Sequence, residues 1–106
     1  MANITLSDIR NAADAKYAHT EIDLGDGVVV TLVNALRLGK EDRAVILASG
    51  EALQAEGADQ FEVLADVLRA AARNDSEKLI AALDGDLAVA MEVFSSYMGA
   101  TQAGEA

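Results

Sequence analysis

Apolar positions recur every three or four residues through most of this 106-residue chain, and only Glu21 to Leu36 changes to a different rhythm. There Ile22 and Leu24 alternate with Glu21 and Asp23, as in a half-buried strand. Gly25-Asp26-Gly27 supplies residues that tolerate the positive φ of a tight hairpin turn. Val28 to Val33 forms the second strand. With Val28, Val30 and Leu32 turned to the core, Val29 and Val33 face outward with only Thr31 between them. A strand apolar on both faces needs cover on both, and a two-stranded hairpin alone is marginal in water. Val29 and Val33 are therefore the candidate self-association residues, and a homo-oligomer is expected.

Helical spacing governs the rest. Thr5 caps a first helix with Asp8 three residues on and an Ile4–Ile9 staple. Leu6, Ile9, Ala13 and Tyr17 line one face, and the helix ends near Ala15 or Lys16. Asn34 caps a short turn through Leu38, which Gly39 ends. Lys40 to Glu56 reads as a helix with Ile46, Gly50 and Leu53 on one face, Leu47 beside them, and a kink or close crossing at Ser49-Gly50. Asp59 caps the most regular helix, where Phe61, Leu64, Ala65, Leu68 and Ala72 form a stripe widened by Val63, Val67 and Ala70. Asn74-Asp75-Ser76 breaks it and opens a short helix carrying Leu79, Ile80 and Leu83. Asp84-Gly85-Asp86 breaks the pattern again, before a last helix with Leu87, Ala90, Met91, Phe94 and Met98 on one face. The fold class predicted is mainly α with one β-hairpin (α+β): a short N-terminal helix, a hairpin at about 20–33, and a bundle of about four helices. Residues 1–98 form a single domain, and 99–106, lacking periodicity, a flexible tail.

Composition narrows the function. The chain is 52% hydrophobic, but much of that is alanine, with only two Phe and two Tyr, so stability rests on close helix packing rather than bulky anchors. Eighteen acidic residues against eight basic give a net charge of −10, which repels phosphate backbones and argues against nucleic acid. The absence of cysteine removes disulfides, thiolate metal sites and thiol catalysis. The first residues have no basic region followed by an apolar run, and no apolar run approaches the ~20 residues of a membrane span, so neither a signal peptide nor membrane insertion is expected.

Reactive chemistry is sparse. His19, the sole histidine, sits in the connection before the first strand, where a structural role outweighs catalysis. Asp23, Gly25 and Asp26 lack the spaced oxygens and closing Glu of a calcium loop. No third glycine or following helix makes Gly25-Asp26-Gly27 a dinucleotide motif. No metal or cofactor is expected, and no enzyme. Arg37, Lys40 and Arg43, beside Glu41 and Asp42, read as a solvated mixed-charge face. The Met91, Phe94, Tyr97 and Met98 group is the candidate partner-binding surface, because methionine and aromatic side chains adapt to irregular contacts.

The order of features resembles the tail assembly chaperones of long-tailed (siphovirus-type) bacteriophages, most closely those of actinobacteriophages. The residues carrying this likeness run from Leu6-Ser7-Asp8-Ile9-Arg10 and Ala12-Ala13-Asp14 before Lys16-Tyr17-Ala18, through the acidic-apolar hairpin, to Leu36-Arg37-Leu38 and Lys40-Glu41-Asp42-Arg43. They continue in Leu83-Asp84-Gly85-Asp86-Leu87-Ala88 and the ending Met98 to Ala106. The resemblance implies a non-enzymatic protein of the host bacterial cytoplasm, absent from the mature virion. It implies binding to the tape measure protein, which stays soluble while tail-tube protein subunits polymerise around it. It also implies that this chain is the short form, with a longer partner made by programmed frameshift near Gly104 and Glu105. The alternative reading is a small structural head–tail joining or tail-completion protein, which mass spectrometry of purified particles would detect. An acidic nucleic-acid mimic ranks lower, since the charges are dispersed among caps and polar faces rather than laddered on one surface.

Overall fold

A computed structural model describes residues 3–102, and its elements follow the α+β order the sequence predicts. They are α1 (Leu6–Lys16), β1 (Thr20–Asp23), β2 (Val29–Leu32), a 3-10 turn (Ala35–Arg37), α2 (Lys40–Gln54), α3 (Gln60–Ala71), α4 (Ser76–Leu83) and α5 (Leu87–Gln102). α3 is the central helix and packs against α2, α4 and α5. Its Leu64, Ala65, Val67, Leu68 and Ala71 are buried. They meet Val30 and Leu32 of β2, Ile46 of α2, Leu79 and Leu83 of α4, and Ala90 and Tyr97 of α5. Each large aliphatic side chain placed there contributes about 1.5–3 kcal/mol relative to exposure.

The helix boundaries have chemical causes. Thr5 Oγ1 accepts the Asp8 N–H (3.1 Å) at the start of α1, and Asp59 Oδ1 accepts the Glu62 N–H (3.2 Å) at the start of α3. Asn34 Oδ1 accepts from Leu36 N–H (3.0 Å) to cap the 3-10 turn. Asp84 and Gly85 both adopt positive φ and stop α4, after which Asp86 Oδ1 accepts from the N–H groups of Ala88 and Val89 to start α5. Arg69 joins α3 to α4 through Glu77 (2.9 Å), with Asp66 at 3.1 Å. Its hydrogen bond to Glu77, reinforced by Asp66 and the charge of Glu62, holds the guanidinium above its ordinary pKa.

β2 is paired on both edges. On one side the antiparallel register places Ile22 opposite Val30 and Thr20 opposite Leu32. On the other, the chain leaving α3 runs antiparallel as a single bridge, Leu32 to Ala72, flanked by Val33 N–H to Ala71 O and Arg73 N–H to Thr31 O, both 2.8 Å. Asn74 then completes the edge with its side chain: Oδ1 accepts the Thr31 N–H (3.1 Å) and Nδ2 donates to Val29 O (3.0 Å). The carboxamide supplies one acceptor and one donor, as a next backbone residue would. At the hairpin tip, Asp23 Oδ1 accepts the Gly25 N–H (2.8 Å), and Gly25 and Gly27 take φ of +90° and +87°.

Several expectations need correction. α2 buries Ile46 and Ser49 rather than Gly50, because the Ser49 hydroxyl donates to Ile46 O (2.6 Å) and turns that side inward. Leu47 is 74% exposed. Gly50 does not mark a close crossing: an added Cβ would meet nothing within 4 Å. α2 also stops at Gln54, two residues short of Glu56. The Ile4–Ile9 staple does not bury either residue, and both are exposed. α5 runs on to Gln102, so residues 99–102 of the expected tail are helical, while 103–106 lie outside the described residues.

Gly50→Ala should stabilise the fold by about 1 kcal/mol, since the site is an exposed helix interior with room for a methyl group. Asn74→Ala should destabilise it by about 1–3 kcal/mol by stripping partners from both sides of the β2 edge. Urea unfolding midpoints measured side by side would check the two opposite signs.

Candidate functional site

The clearest uncovered apolar feature on the helical body is a shoulder of α5. Leu87, Met91, Phe94 and Met98 follow the i, i+4, i+7, i+11 spacing and fall within about 60° of one another around the helix. Leu87 and Met91 are 37% and 39% exposed, while Phe94 and Met98 are half-buried against the core. The stripe is thus anchored at one margin and open at the other.

Tyr97 does not belong to it. It lies about a quarter-turn away, is 0% exposed, and donates its hydroxyl to Val33 O at 2.7 Å. The expectation that Tyr97 presents surface to a partner is therefore corrected: the ring fills the core, and the phenol ties α5 to the end of β2. Of the four residues grouped from sequence as a partner surface, Met91, Phe94 and Met98 come together, and Leu87, which helical spacing places on the same face, joins them in place of Tyr97.

A second stripe lies on α1. Leu6 is 60% and Ile9 53% exposed, Ala13 and Tyr17 are half-buried, and no residue of the helix is buried. Two latches hold its C-terminal end. Arg37 donates to Asp14 (2.8 Å). His19 Nδ1 accepts the Asn34 N–H (3.3 Å), and its Nε2 lies 2.9 Å from the Arg73 guanidinium. A neutral imidazole has one acceptor nitrogen, so the ring satisfies one of these donors at a time. Between Asp14, Tyr17, His19, Glu21 and Arg37 lies an open cleft of about 400 Å³.

The outer hairpin face is the third feature. Val29 is exposed and Val33 half-buried. The register sets Val29 beside Asp23 and Thr31 beside Glu21, and both acids are exposed. The two candidate self-association residues therefore sit on one face, bordered by carboxylates. Among the described residues no three His, Asp or Glu side chains gather as metal ligands, and no helix is long and apolar enough to cross a membrane.

These features define a small, acidic α+β domain that leaves apolar stripes uncovered on two helices and on one sheet face. The family model described as mycobacteriophage tail assembly protein matches residues 1–106, and the chain belongs to that family. Its role is in the assembly of a phage tail. No curated protein and no solved structure gives a significant match.

Tyr97→Phe should cost about 1–2 kcal/mol in unfolding free energy, because the Val33 carbonyl loses its donor in a part-buried setting while the ring still fills the core. Tyr97→Ala should cost about 3–5 kcal/mol through the cavity left behind. Thermal and urea denaturation of both variants would check the ranking.

Proposed function

We propose that this chain is a tail assembly chaperone that binds the tape measure protein in the host cytoplasm. It keeps that protein soluble and helps tail-tube subunits polymerise around it. The observation that carries the reading is the α5 shoulder, in a chain already assigned to a tail assembly family. Leu87, Met91, Phe94 and Met98 offer a strip three turns long. A long helical client presents apolar residues at the same i, i+4, i+7 spacing, and helix-against-groove recognition uses that match. Methionine supplies the adaptability needed for a client that offers many similar, non-identical turns.

The charge supports the same job. A chaperone loaded with an aggregation-prone helix has to remain soluble, and a net charge of −10 on 106 residues supplies repulsion between loaded complexes. A longer frameshifted form of the chain would carry the same shoulder and add further contacts beyond it.

Co-expression with the tape measure protein tests this. The wild-type chain should move that protein into the soluble fraction. Met91→Glu combined with Leu87→Glu should abolish the rescue while leaving the unfolding midpoint nearly unchanged, since both side chains are exposed. Undiminished rescue by the double variant would remove the shoulder from the mechanism.

A further inference from the structure

We infer that α1 of one copy covers the outer hairpin face of a second copy, so that two chains exchange their first helices reciprocally. An 11-residue helix that buries none of its side chains is marginal in water. The outer hairpin face has the matching deficit, since Val29 is exposed and Val33 only half-buried where a strand apolar on both faces needs cover on both.

Charge identifies the occupant. Arg10 lies four residues after Leu6 and three before Ala13, and Lys16 lies three after Ala13, so the two cations border the stripe on opposite sides. Neither makes an ion pair among the described residues. Of the acids on the helix, Asp8 lies on the far side and Asp14 is held by Arg37. The surface that fits is apolar with an acidic border. The hairpin face supplies it, with Asp23 beside Val29, Glu21 beside the intervening Thr31 and Asp26 at the tip. Arg73, whose backbone pairs with Thr31 and whose guanidinium lies 2.9 Å from His19 Nε2, is an opposing cation beside that face.

A chain's own α1 makes little contact with its own hairpin. Only Tyr17, Ala18 and His19 connect them, and the His19 and Arg37 latches fix the link with the cleft open beneath. Reciprocal exchange covers both helices and both hairpins in a closed two-fold pair. It leaves the α5 shoulder outside the contact, so it goes beyond the client-binding reading.

Sedimentation analysis of the full chain tests the inference. The wild type should form a dimer. Leu6→Asp with Ile9→Asp should raise the dimer dissociation constant at least ~100-fold, the equivalent of about 2.7 kcal/mol. Its circular dichroism should keep the signal of the helical core, because α1 contributes nothing buried. A charge exchange separates partner contact from folding. Arg10→Glu with Lys16→Glu should be monomeric alone, and so should Glu21→Lys with Asp26→Lys. Mixed together, these two variants should dimerise, since each helix then meets a hairpin of opposite charge. A wild type that stays monomeric overturns the inference. So does a dimer indifferent to Leu6 and Ile9, or a mixture that fails to pair. A monomer whose tape measure rescue depends on Leu6 and Ile9 also overturns it and assigns the stripe to the client. Loss of dimer with rescue intact supports it, and loss of rescue in the Met91 and Leu87 variant with the dimer intact bears only on the shoulder.

Discussion

Everything else in the structure hangs on the double pairing of β2. A four-residue strand held by one partner would be a frayed ribbon. Here the chain leaving α3 supplies a second rung through Ala71, Ala72 and Arg73, and Asn74 extends it with its side chain. That rung fixes the hairpin to the central helix, and Tyr97 fixes α5 to the same strand from the far end of the sequence. Segments separated by some forty to sixty residues thus converge on Val29 to Val33. Aliphatic packing around Leu32, Ile46, Leu64, Leu68 and Leu79 is non-directional, so the hydrogen bonds to β2 add the specification of how these elements meet.

This dependence explains which parts could be read from the sequence. The helix caps at Thr5, Asn34 and Asp59 and the break at Asp84-Gly85-Asp86 are local, since the residues that make them lie within a few positions of one another. The core face of the hairpin follows from simple alternation and appears as expected in Val30 and Leu32. The second rung, through Ala72, could not be read. Ala72 continues the α3 stripe in sequence, and the strand geometry that takes it off the helix depends on a partner forty residues away. Tyr97 illustrates the same limit. It lies within a Met-aromatic cluster in sequence, and only the tertiary placement of β2 supplies the Val33 carbonyl that its hydroxyl meets. On α2, Ser49 outcompeted Gly50 for the buried face because its hydroxyl found a carbonyl within its own helix.

The distribution of charge bears on how an acidic domain keeps apolar stripes uncovered without collapsing onto itself. Many of its acids have structural posts. Asp59 and Asp86 cap helices, Asp23 closes the turn, and Glu77 and Asp66 hold Arg69. Each satisfies backbone or guanidinium donors locally, so acidity and fold are built from the same residues. Removing charge to relieve repulsion would therefore also loosen helix ends. The cations are divided more sharply. Arg37, Arg69, Arg73 and Lys78 are engaged within the chain, whereas Arg10, Lys16, Lys40 and Arg43 make no ion pair among the described residues. Two of these four stand beside the Leu6–Ile9 stripe. A chain whose net charge of −10 repels its own kind thus carries on α1 two cations, unpaired among the described residues, beside an exposed apolar stripe. Orientation-dependent attraction within general repulsion allows one specific contact and disfavours indiscriminate ones. Uncovered apolar surface without such selectivity would invite indiscriminate association.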